Sequence, residues 1–203
     1  MFIIGLTGGT GAGKTSALRA LLSLGALALD CDAIYHELLL SNEELKTELE
    51  ARFPGVLADG AIDRKKLGGI VFNDPAALLD LNAITHRYVD GEVGRRIALW
   101  GAQGGSIASI DAIGLIESGL AGKCDTTVAV TAPLETRIKR IMARDGIGRE
   151  QAEMRIKAQK PDSYYKEHCD YVLEGTCGTA SEFEEKCKKF FAGLIKGNCE
   201  SQM

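Results

Sequence analysis

A glycine-rich segment near the N-terminus constrains the fold more than any other feature of this sequence. Residues 8–15 read Gly-Gly-Thr-Gly-Ala-Gly-Lys-Thr and match the pattern G-x-x-x-x-G-K-[ST] at every fixed position. Residues 2–6 before it form a short apolar run that is typical of a buried parallel strand. Residues 14–24 after it place apolar side chains at helical spacing. A strand, a glycine loop and a helix in this order predict the first unit of an α/β fold with a parallel sheet.

The residue types of this loop predict that it binds the phosphates of a nucleoside triphosphate. Glycines let the backbone wrap around an anion without clashes from Cβ atoms, and N–H groups of the loop and of the next helix then converge on phosphate oxygens. Lys14 is expected to contact the β- and γ-phosphates, and the Thr15 hydroxyl to bind Mg²⁺. The predicted nucleotide-binding residues of the loop are Gly8, Gly11, Ala12, Gly13, Lys14, Thr15 and Ser16. The alternative is a glycine-rich turn ahead of a helix, but the flanking strand and helix favour the nucleotide site.

Composition excludes several other classes of function. A net charge of -4 gives no overall basic surface, so we expect no nucleic-acid partner. No run reaches the roughly 18 apolar residues of a membrane span, and residues 1–6 lack the features of a signal peptide. The 6 cysteines form no CxxC pair, which predicts free thiols in a reducing cytoplasm rather than a zinc site. We expect a cytoplasmic monomer or weak homo-oligomer.

Turn signals and helical spacing divide the chain into a core, an insertion and a lid. Residues 33–91 show helical spacing interrupted by turns such as Asn73-Asp74-Pro75, which predicts a mostly helical insertion. The alternation of strands and helices then returns, and Thr126–Thr131 is its clearest strand. We predict a three-layer α/β P-loop fold. Its core comprises residues 1–32, 92–135 and 161–203, its helical insertion residues 33–91, and its short helical lid residues 136–160.

Carboxylates follow two of the predicted strands. Asp30 and Asp32 follow the apolar run that begins at residue 26, and ligands of open parallel sheets bind at this end of the strands. These carboxylates could orient Mg²⁺ or accept a proton from an attacking hydroxyl; a solvated loop or a helix N-cap is the alternative. Asp111 also follows an apolar run, but this run is only moderately apolar, so a structural role at the strand end is as plausible as Mg²⁺ binding.

Basic residues cluster in the predicted lid. Arg137, Arg140 and Arg144 are spaced i, i+3 and i+7 and therefore share one face of a helix. A second basic helix is predicted over residues 149–160, after Gly146 and Gly148, and two such helices suit a lid that closes on a triphosphate. The alternative is an ordinary charged helix face.

Taken in order, these motifs resemble the dephospho-coenzyme A kinase family. The resemblance covers nearly the whole chain and is far more specific than the glycine loop by itself. The similar segments are residues 4–15, 24–25, 29–34, 59–68, 70–72, 81–86 and 140–146, with Arg155 and Gln159.

The resemblance implies a role for each of several residues. Asp32 would be the base that takes the proton from the ribose 3'-hydroxyl of dephospho-CoA, while Lys14 and Arg140 would stabilise charge on the transferred γ-phosphoryl group of ATP. Residues of the insertion, Arg64 and His86 among them, would hold dephospho-CoA; from spacing alone, His86 is a surface or half-buried helix residue. With the local patterns, the resemblance yields ATP contacts at Arg140 and Arg144 and Mg²⁺ ligands at Thr15 and Asp30. Another small-molecule or nucleoside monophosphate kinase, or a non-catalytic nucleotide-binding switch, remains an alternative.

Two departures from the family pattern concern the acceptor. The family usually has proline after the histidine at position 86, where this chain has Arg87. The family segment D-x-P-L-L-F-E reads Asp-Ala-Ile-Gly-Leu-Ile-Glu at residues 111–117. We expect these changes to alter affinity for the acceptor but not phosphate binding.

Overall fold

The computed structural model describes residues 1–175 and 178–201 in two compact units. Residues 1–29 and the described part of 100–203 form the first unit, and Asp30–Leu99 form the second. In chain order the elements are β1 (Phe2–Thr7), α1 (Lys14–Ser23), β2 (Leu27–Asp30), α2 (Cys31–Ser41), α3 (Glu43–Arg52), β3 (Leu57–Ala58), β4 (Ala61–Ile62), α4 (Arg64–Val71), α5 (Pro75–Ala102), β5 (Ile107–Asp111), a 3₁₀ turn (Leu120–Lys123), β6 (Thr126–Thr131), α6 (Leu134–Asp145), α7 (Arg149–Lys157), α8 (Asp162–His168), β7 (Tyr171–Glu174) and α9 (Ala180–Ser201).

The first unit is built on a five-stranded sheet with the order β2-β5-β1-β6-β7. Parallel pairing joins β1 to β5 and β6, and β6 to β7. In this register Leu6 lies opposite Asp111 on one side and Val128 on the other, so β1 is a central strand. Central parallel strands are covered on both faces, which explains why β1 and β6 are almost continuously buried.

Alternation along β1 separates the two layers that cover the sheet. Its even-numbered apolar residues pack against α1 and α9 in the main core cluster, formed by Phe2, Ile4, Leu6, Ala12, Ala17, Ala20, Leu21, Ala26, Val128, Val130, Leu173, Phe183, Cys187 and Phe191. A Cβ on Gly5 would lie 2.8 Å from both Leu115 and Cys124, so the odd-numbered face meets the segment after β5. The two faces follow from the period of two in a strand.

The second unit is largely helical. Helices α2, α3, α4 and most of α5 belong to it, together with the two-stranded antiparallel hairpin of β3 and β4. Asp63 ends the hairpin segment and accepts hydrogen bonds from the backbone N–H groups of Lys65 and Lys66, so it caps α4. Arg87, on α5, pairs with Glu48 of α3, which also accepts a hydrogen bond from the Tyr88 hydroxyl at 3.0 Å.

Two details of the first unit differ from the sequence-based expectation. The helix predicted over residues 149–160 ends at Lys157, because the residues after it turn back and bring Gln159 to the glycine loop. Helix α8 was not predicted, since its seven residues show no amphipathic pattern and its position depends on burial of Tyr165.

Two of the cysteines described in the first unit have raised pKa values. Burial, with smaller contributions from Asp125 and Asp170, raises the pKa of Cys124 to about 12. Burial also raises the pKa of Cys169. Both are free thiols, whereas Cys177 and the side chain of Cys199 lie outside the described residues. Of the helices described, none combines the length and apolar character required to traverse a bilayer.

Candidate active site

The glycine loop occupies the turn between β1 and α1, and its backbone conformation requires glycine. Gly8, Gly11 and Gly13 have φ values of 133°, 74° and 115°. A side chain is strained in this region, and a Cβ on Gly8 would in addition lie 2.2 Å from the carbonyl oxygen of Val130. Every fixed glycine of the sequence pattern therefore has a steric reason in the structure.

Helix α1 begins at the end of this loop and presents an N-terminus suited to an anion. Gly13 is the N-cap residue in a left-handed conformation, with no side chain to satisfy the first N–H groups of the helix. The first turn contains no acidic residue, so the partial positive charge of the helix end is not neutralised locally. Lys14 Nζ donates to the carbonyl oxygen of Gly8 at 2.9 Å, which places the ammonium group across the loop. The Thr15 side chain is exposed at the same end, and Ser16 is buried.

Helix α6 lies against this loop through its arginines. Arg140 Nη1 donates to the carbonyl oxygens of Gly11 at 3.2 Å and Ala12 at 3.0 Å, and Nη2 donates to that of Gly175 at 3.2 Å. Arg144 Nη2 donates to the Thr10 hydroxyl at 3.3 Å and pairs with Asp145. The predicted basic face of this helix is therefore brought to the glycine loop.

Two contacts at the loop involve residues outside the predicted site. Arg137 is buried beneath the loop and Gln159 contacts the Thr10 backbone. The only signal in the sequence for the contact made by Arg137 was its spacing with Arg140 and Arg144. Gln159 was named only through the family resemblance.

The two carboxylates at the end of β2 and the start of α2 have different environments. Asp30 caps α2, and its Oδ1 accepts hydrogen bonds from the backbone N–H groups of Asp32 at 2.9 Å and Ala33 at 3.0 Å. Asp32 lies in the first turn of α2 with an exposed side chain, at a helix end that favours negative charge. The cap thus determines the backbone geometry from which the Asp32 carboxylate projects.

The helical unit contains a cavity of about 490 Å³ with an apolar wall and two basic residues. Its lining residues are Tyr35, Arg64, Lys65, Leu67, Gly68, Val71, Phe72, Leu78 and Leu81. Burial raises the pKa of Tyr35, and the charge of Arg64 opposes this shift. His86, on α5, is half-buried, and this burial lowers its pKa; it does not line the cavity.

A comparison with known proteins identifies the family. Residues 2–181 match the sequence profile of the dephospho-CoA kinase family. The chain belongs to this family. It is 37% identical to the dephospho-CoA kinase of Geobacter sulfurreducens over 194 residues, which are 95% of this chain and 98% of that protein.

Solved structures agree with the family. A crystal structure from Thermus thermophilus is 34% identical and superposes with a TM-score of 0.78, covering 95% of this chain and 97% of that one. Dephospho-CoA kinase from Campylobacter jejuni is 26% identical with a TM-score of 0.68, covering 97% and 98%. The family, the P-loop kinase fold and the kinase activity predicted from the sequence are confirmed. Members of this family use ATP and dephospho-CoA.

The structure shows the surroundings of the two places where this chain differs from the family pattern. Arg87 is engaged by Glu48 within the helical unit, so the residue that replaces proline links α5 to α3. Gly114 lines a cavity of about 340 Å³ in the first unit, together with Ile113, Glu117, Ala158, Gln159, Lys160 and Tyr165. A Cβ on Gly114 would meet only Glu117 Oε2, at 3.9 Å. The missing leucine side chain of the family pattern therefore leaves open space.

Proposed function

We propose that this chain transfers the γ-phosphoryl group of ATP to the ribose 3'-hydroxyl of dephospho-CoA, the last step of coenzyme A biosynthesis. The observation that supports this is the glycine loop with three positive-φ glycines, between β1 and the uncapped start of α1, in a chain of the dephospho-CoA kinase family. The reaction requires the hydroxyl oxygen to attack the γ-phosphorus as its proton leaves. Catalysis then depends mainly on positioning and on stabilising charge.

The donor half of the proposed site is the loop and its arginines. Lys14 stabilises charge on the β- and γ-phosphates, and Arg140 and Arg144 add positive charge from α6. The loop contacts to ATP are assigned to Gly8, Gly11, Ala12, Gly13, Lys14, Thr15 and Ser16. Arg140 Nη1 donates to the loop carbonyl oxygens of Gly11 and Ala12, and Nη2 donates to that of Gly175, so the guanidinium charge lies directly beside the loop.

Mg²⁺ is assigned to Thr15 and Asp30. Both offer oxygen atoms, the ligand type that Mg²⁺ prefers, and Mg²⁺ commonly completes its shell with water and substrate phosphates. Thr15 is exposed at the start of α1. One oxygen of Asp30 is engaged by two backbone N–H groups, which leaves Oδ2 as its proposed ligand atom. When bound, Mg²⁺ would neutralise charge on the β- and γ-phosphates.

The acceptor half is assigned to Asp32 and to the helical unit. Asp32 would accept the proton of the 3'-hydroxyl. Arg64 and His86 would contact dephospho-CoA. The cavity beside Arg64 matches the chemistry of this acceptor, because basic residues suit its diphosphate and an apolar wall suits its pantetheine arm.

The functional division of the chain is part of the same proposal. Residues 33–91 would be the acceptor domain, residues 136–160 the lid, and residues 1–32, 92–135 and 161–203 the core. We further propose that the protein acts in the cytoplasm, as a monomer or weak homo-oligomer, without a nucleic-acid or membrane partner.

An acceptor assay tests the proposed reaction. Purified protein would be incubated with ATP, Mg²⁺ and either dephospho-CoA, a nucleoside monophosphate or shikimate, and products would be identified by mass spectrometry. We expect 3'-phosphorylated product from dephospho-CoA and little from the other two. Failure to form that product at millimolar substrate, with protein that binds ATP, would refute the proposal. A product from another acceptor would assign a different kinase activity.

The Asp32→Asn variant tests the assignment of the base. We expect kcat to fall by about 10²- to 10⁴-fold, the usual contribution of a general base, while the Kd for ATP stays within about twofold. Asp59→Asn is a matched control, because Asp59 is an exposed residue of the hairpin turn with φ 49°, a conformation that asparagine accepts. An unchanged kcat for Asp32→Asn would contradict the assignment of Asp32 as the base.

A further inference from the structure

Arg137 is a buried charge, and each of its three guanidinium nitrogens donates a hydrogen bond. Its side chain is only 6% exposed. Nε donates to the carbonyl oxygen of Thr10 at 2.9 Å, Nη2 to Oε1 of Gln159 at 3.2 Å, and Nη1 to Oδ1 of Asp162 at 3.4 Å. Burying a guanidinium is costly unless its donors are satisfied, so these partners define what the residue does.

Gln159 completes the contact with the same residue of the loop. Its Oε1 accepts a hydrogen bond from the backbone N–H of Thr10 at 2.8 Å. The N–H and the C=O of Thr10 are therefore both held, one by Gln159 and the other by Arg137. This holds the two peptide planes that flank Thr10, in the middle of the glycine loop.

Peptide geometry connects this clamp to phosphate binding. In a planar trans peptide the C=O and the next N–H point in opposite directions. Because Arg137 draws the Thr10 carbonyl toward α6, the N–H of Gly11 is directed away from α6. Arg140 does the same to the Ala12 carbonyl and therefore to the N–H of Gly13. Backbone N–H groups oriented together in this way form an anion-binding concavity.

Glycines of the loop leave the space that Arg137 occupies. Gly9 occupies a position where the loop pattern allows any residue. A Cβ on Gly9 would lie 2.2 Å from Nη2 of Arg137 and 3.0 Å from Oε1 of Gln159. A Cβ on Gly11 would also lie 2.8 Å from the backbone carbonyl oxygen of Arg137. Two glycines of the loop thus make room for this one residue.

We propose that Arg137 is a positioning residue that, with Gln159, holds the glycine loop in its phosphate-binding conformation before ATP arrives. It acts through the loop backbone and does not contact a phosphate, unlike the role that its spacing with Arg140 and Arg144 suggests. Without Arg137, part of the binding free energy of ATP is consumed in ordering the loop. The variant therefore binds ATP more weakly. The proposal rests on ATP being the proposed donor but not on the identity of the acceptor.

The test is the Kd for ATP, measured by titration calorimetry without acceptor, for Arg137→Gln against the parent protein. We expect the Kd to rise about tenfold, the size expected from losing a charged hydrogen bond, with kcat at saturating ATP within about threefold and the KM for dephospho-CoA unchanged. Lys139→Gln, which removes a charge from the exposed side of the same helix, should leave the Kd within about twofold.

The Asp162→Asn variant distinguishes positioning of the loop by Arg137 from a general contribution of Arg137 to packing. It weakens the ion pair on the far side of Arg137 and leaves both Thr10 contacts in place. A Kd for Arg137→Gln within twofold of the parent would overturn the proposal. So would an equal rise in Kd for Asp162→Asn, because the effect would then belong to the packing of α8.

A double-mutant cycle keeps the proposal testable if Arg137→Gln is poorly folded. Gly9→Ala should displace the guanidinium and raise the Kd for ATP about as much as Arg137→Gln does. In the Gly9→Ala/Arg137→Gln protein the two effects should be clearly less than additive, because the clash has been removed. If only Gly9→Ala folds, a Kd within twofold of the parent overturns the proposal, as does full additivity. Because the deciding Kd for ATP is measured without acceptor, failure of the proposed kinase reaction is a separate result.

Discussion

At the level of single residues, Gly8 determines whether the phosphate loop can form. Its φ of 133° is strained for any residue with a side chain, and the Val130 carbonyl occupies the position of a Cβ. Each of these facts predicts that position 8 does not tolerate a side chain. The contact with Val130 also shows that strand β6 restricts the conformation of the loop after β1. The sequence pattern names this glycine, but the reason for it comes from a strand more than a hundred residues away.

The Gly8→Ala variant should therefore lose ATP binding. We expect the Kd for ATP to rise at least about tenfold, which corresponds to about 1.4 kcal/mol, because a side chain at this φ strains the phosphate-binding conformation of the loop. Fluorescence titration with a labelled ATP analogue and a thermal unfolding curve would separate binding from stability. Gly94→Ala, at an open position of α5, should keep the parent Kd and gain about 0.5–1 kcal/mol of stability. Unchanged ATP binding by Gly8→Ala would contradict the loop geometry.

At the level of elements, α5 is stabilised by a charge network centred on Glu92. Its carboxylate accepts hydrogen bonds from Arg95 and from Arg96 Nε at 2.7 Å, and Arg96 also pairs with Glu37 of α2. The Glu92 side chain is 16% exposed. The hydrogen bond from Arg95, together with Arg96, lowers the pKa of Glu92 to about 2. Such a pair contributes to stability only while the carboxylate is ionised.

The Glu92→Gln variant should lose stability in a pH-dependent manner. Because the pKa is lower in the folded protein than in the unfolded chain, the contribution is complete above the ordinary glutamate pKa and disappears as pH falls toward about 2. We expect a loss of about 1–2 kcal/mol at pH 7 and less than half of it at pH 3, from urea unfolding. Glu185→Gln, on the exposed side of α9, should follow the parent at both pH values. An equal loss at pH 7 and pH 3 would show that ionisation of Glu92 is not responsible.

At the level of the whole molecule, the chain comprises two compact units that differ in secondary structure. The unit containing residues 1–29 and 100–203 has the parallel sheet and the glycine loop, and the unit Asp30–Leu99 is mainly helical. Members of the dephospho-CoA kinase family use ATP and dephospho-CoA. In the proposed function the donor belongs to the first unit and the acceptor to the second.

Binding of ATP should stabilise the folded protein as a whole. At a concentration of 100 Kd the linkage relation gives about 2.7 kcal/mol, visible as a rise in Tm by calorimetry. Gly8→Ala should show a smaller rise at the same concentration, of about 1.4 kcal/mol or less if its Kd for ATP is at least tenfold higher.

Adding EDTA should abolish phosphoryl transfer, and excess Mg²⁺ should restore it. Transfer that persists in EDTA would contradict the proposed use of Mg²⁺.

Much of the fold could be predicted because its signals are local. Short runs of residue types specify the strand at residues 2–6, the strand Thr126–Thr131 and the helix that carries Arg137, Arg140 and Arg144. The structure confirms these elements. The hairpin of β3 and β4 could not be predicted, because strands of two residues have no period to detect. The end of α7 was misplaced because Gln159 leaves the helix for a partner far away in the sequence.

By itself, the sequence determined the glycine loop, the order of strands and helices and the family, because each depends on residues that are close together or on an ordered set of motifs. Only the tertiary structure decided the environment of those residues. Arg137 reaches Thr10 across 127 positions, and Arg140 reaches Ala12 across 128, so no local pattern distinguishes a buried clamp from an exposed basic face. The capping role of Asp30 and the space beside Gly114 likewise became visible only once the backbone was in place. Hydrogen-bond partners and free volume are properties of packed atoms, and spacing along a chain does not encode them directly.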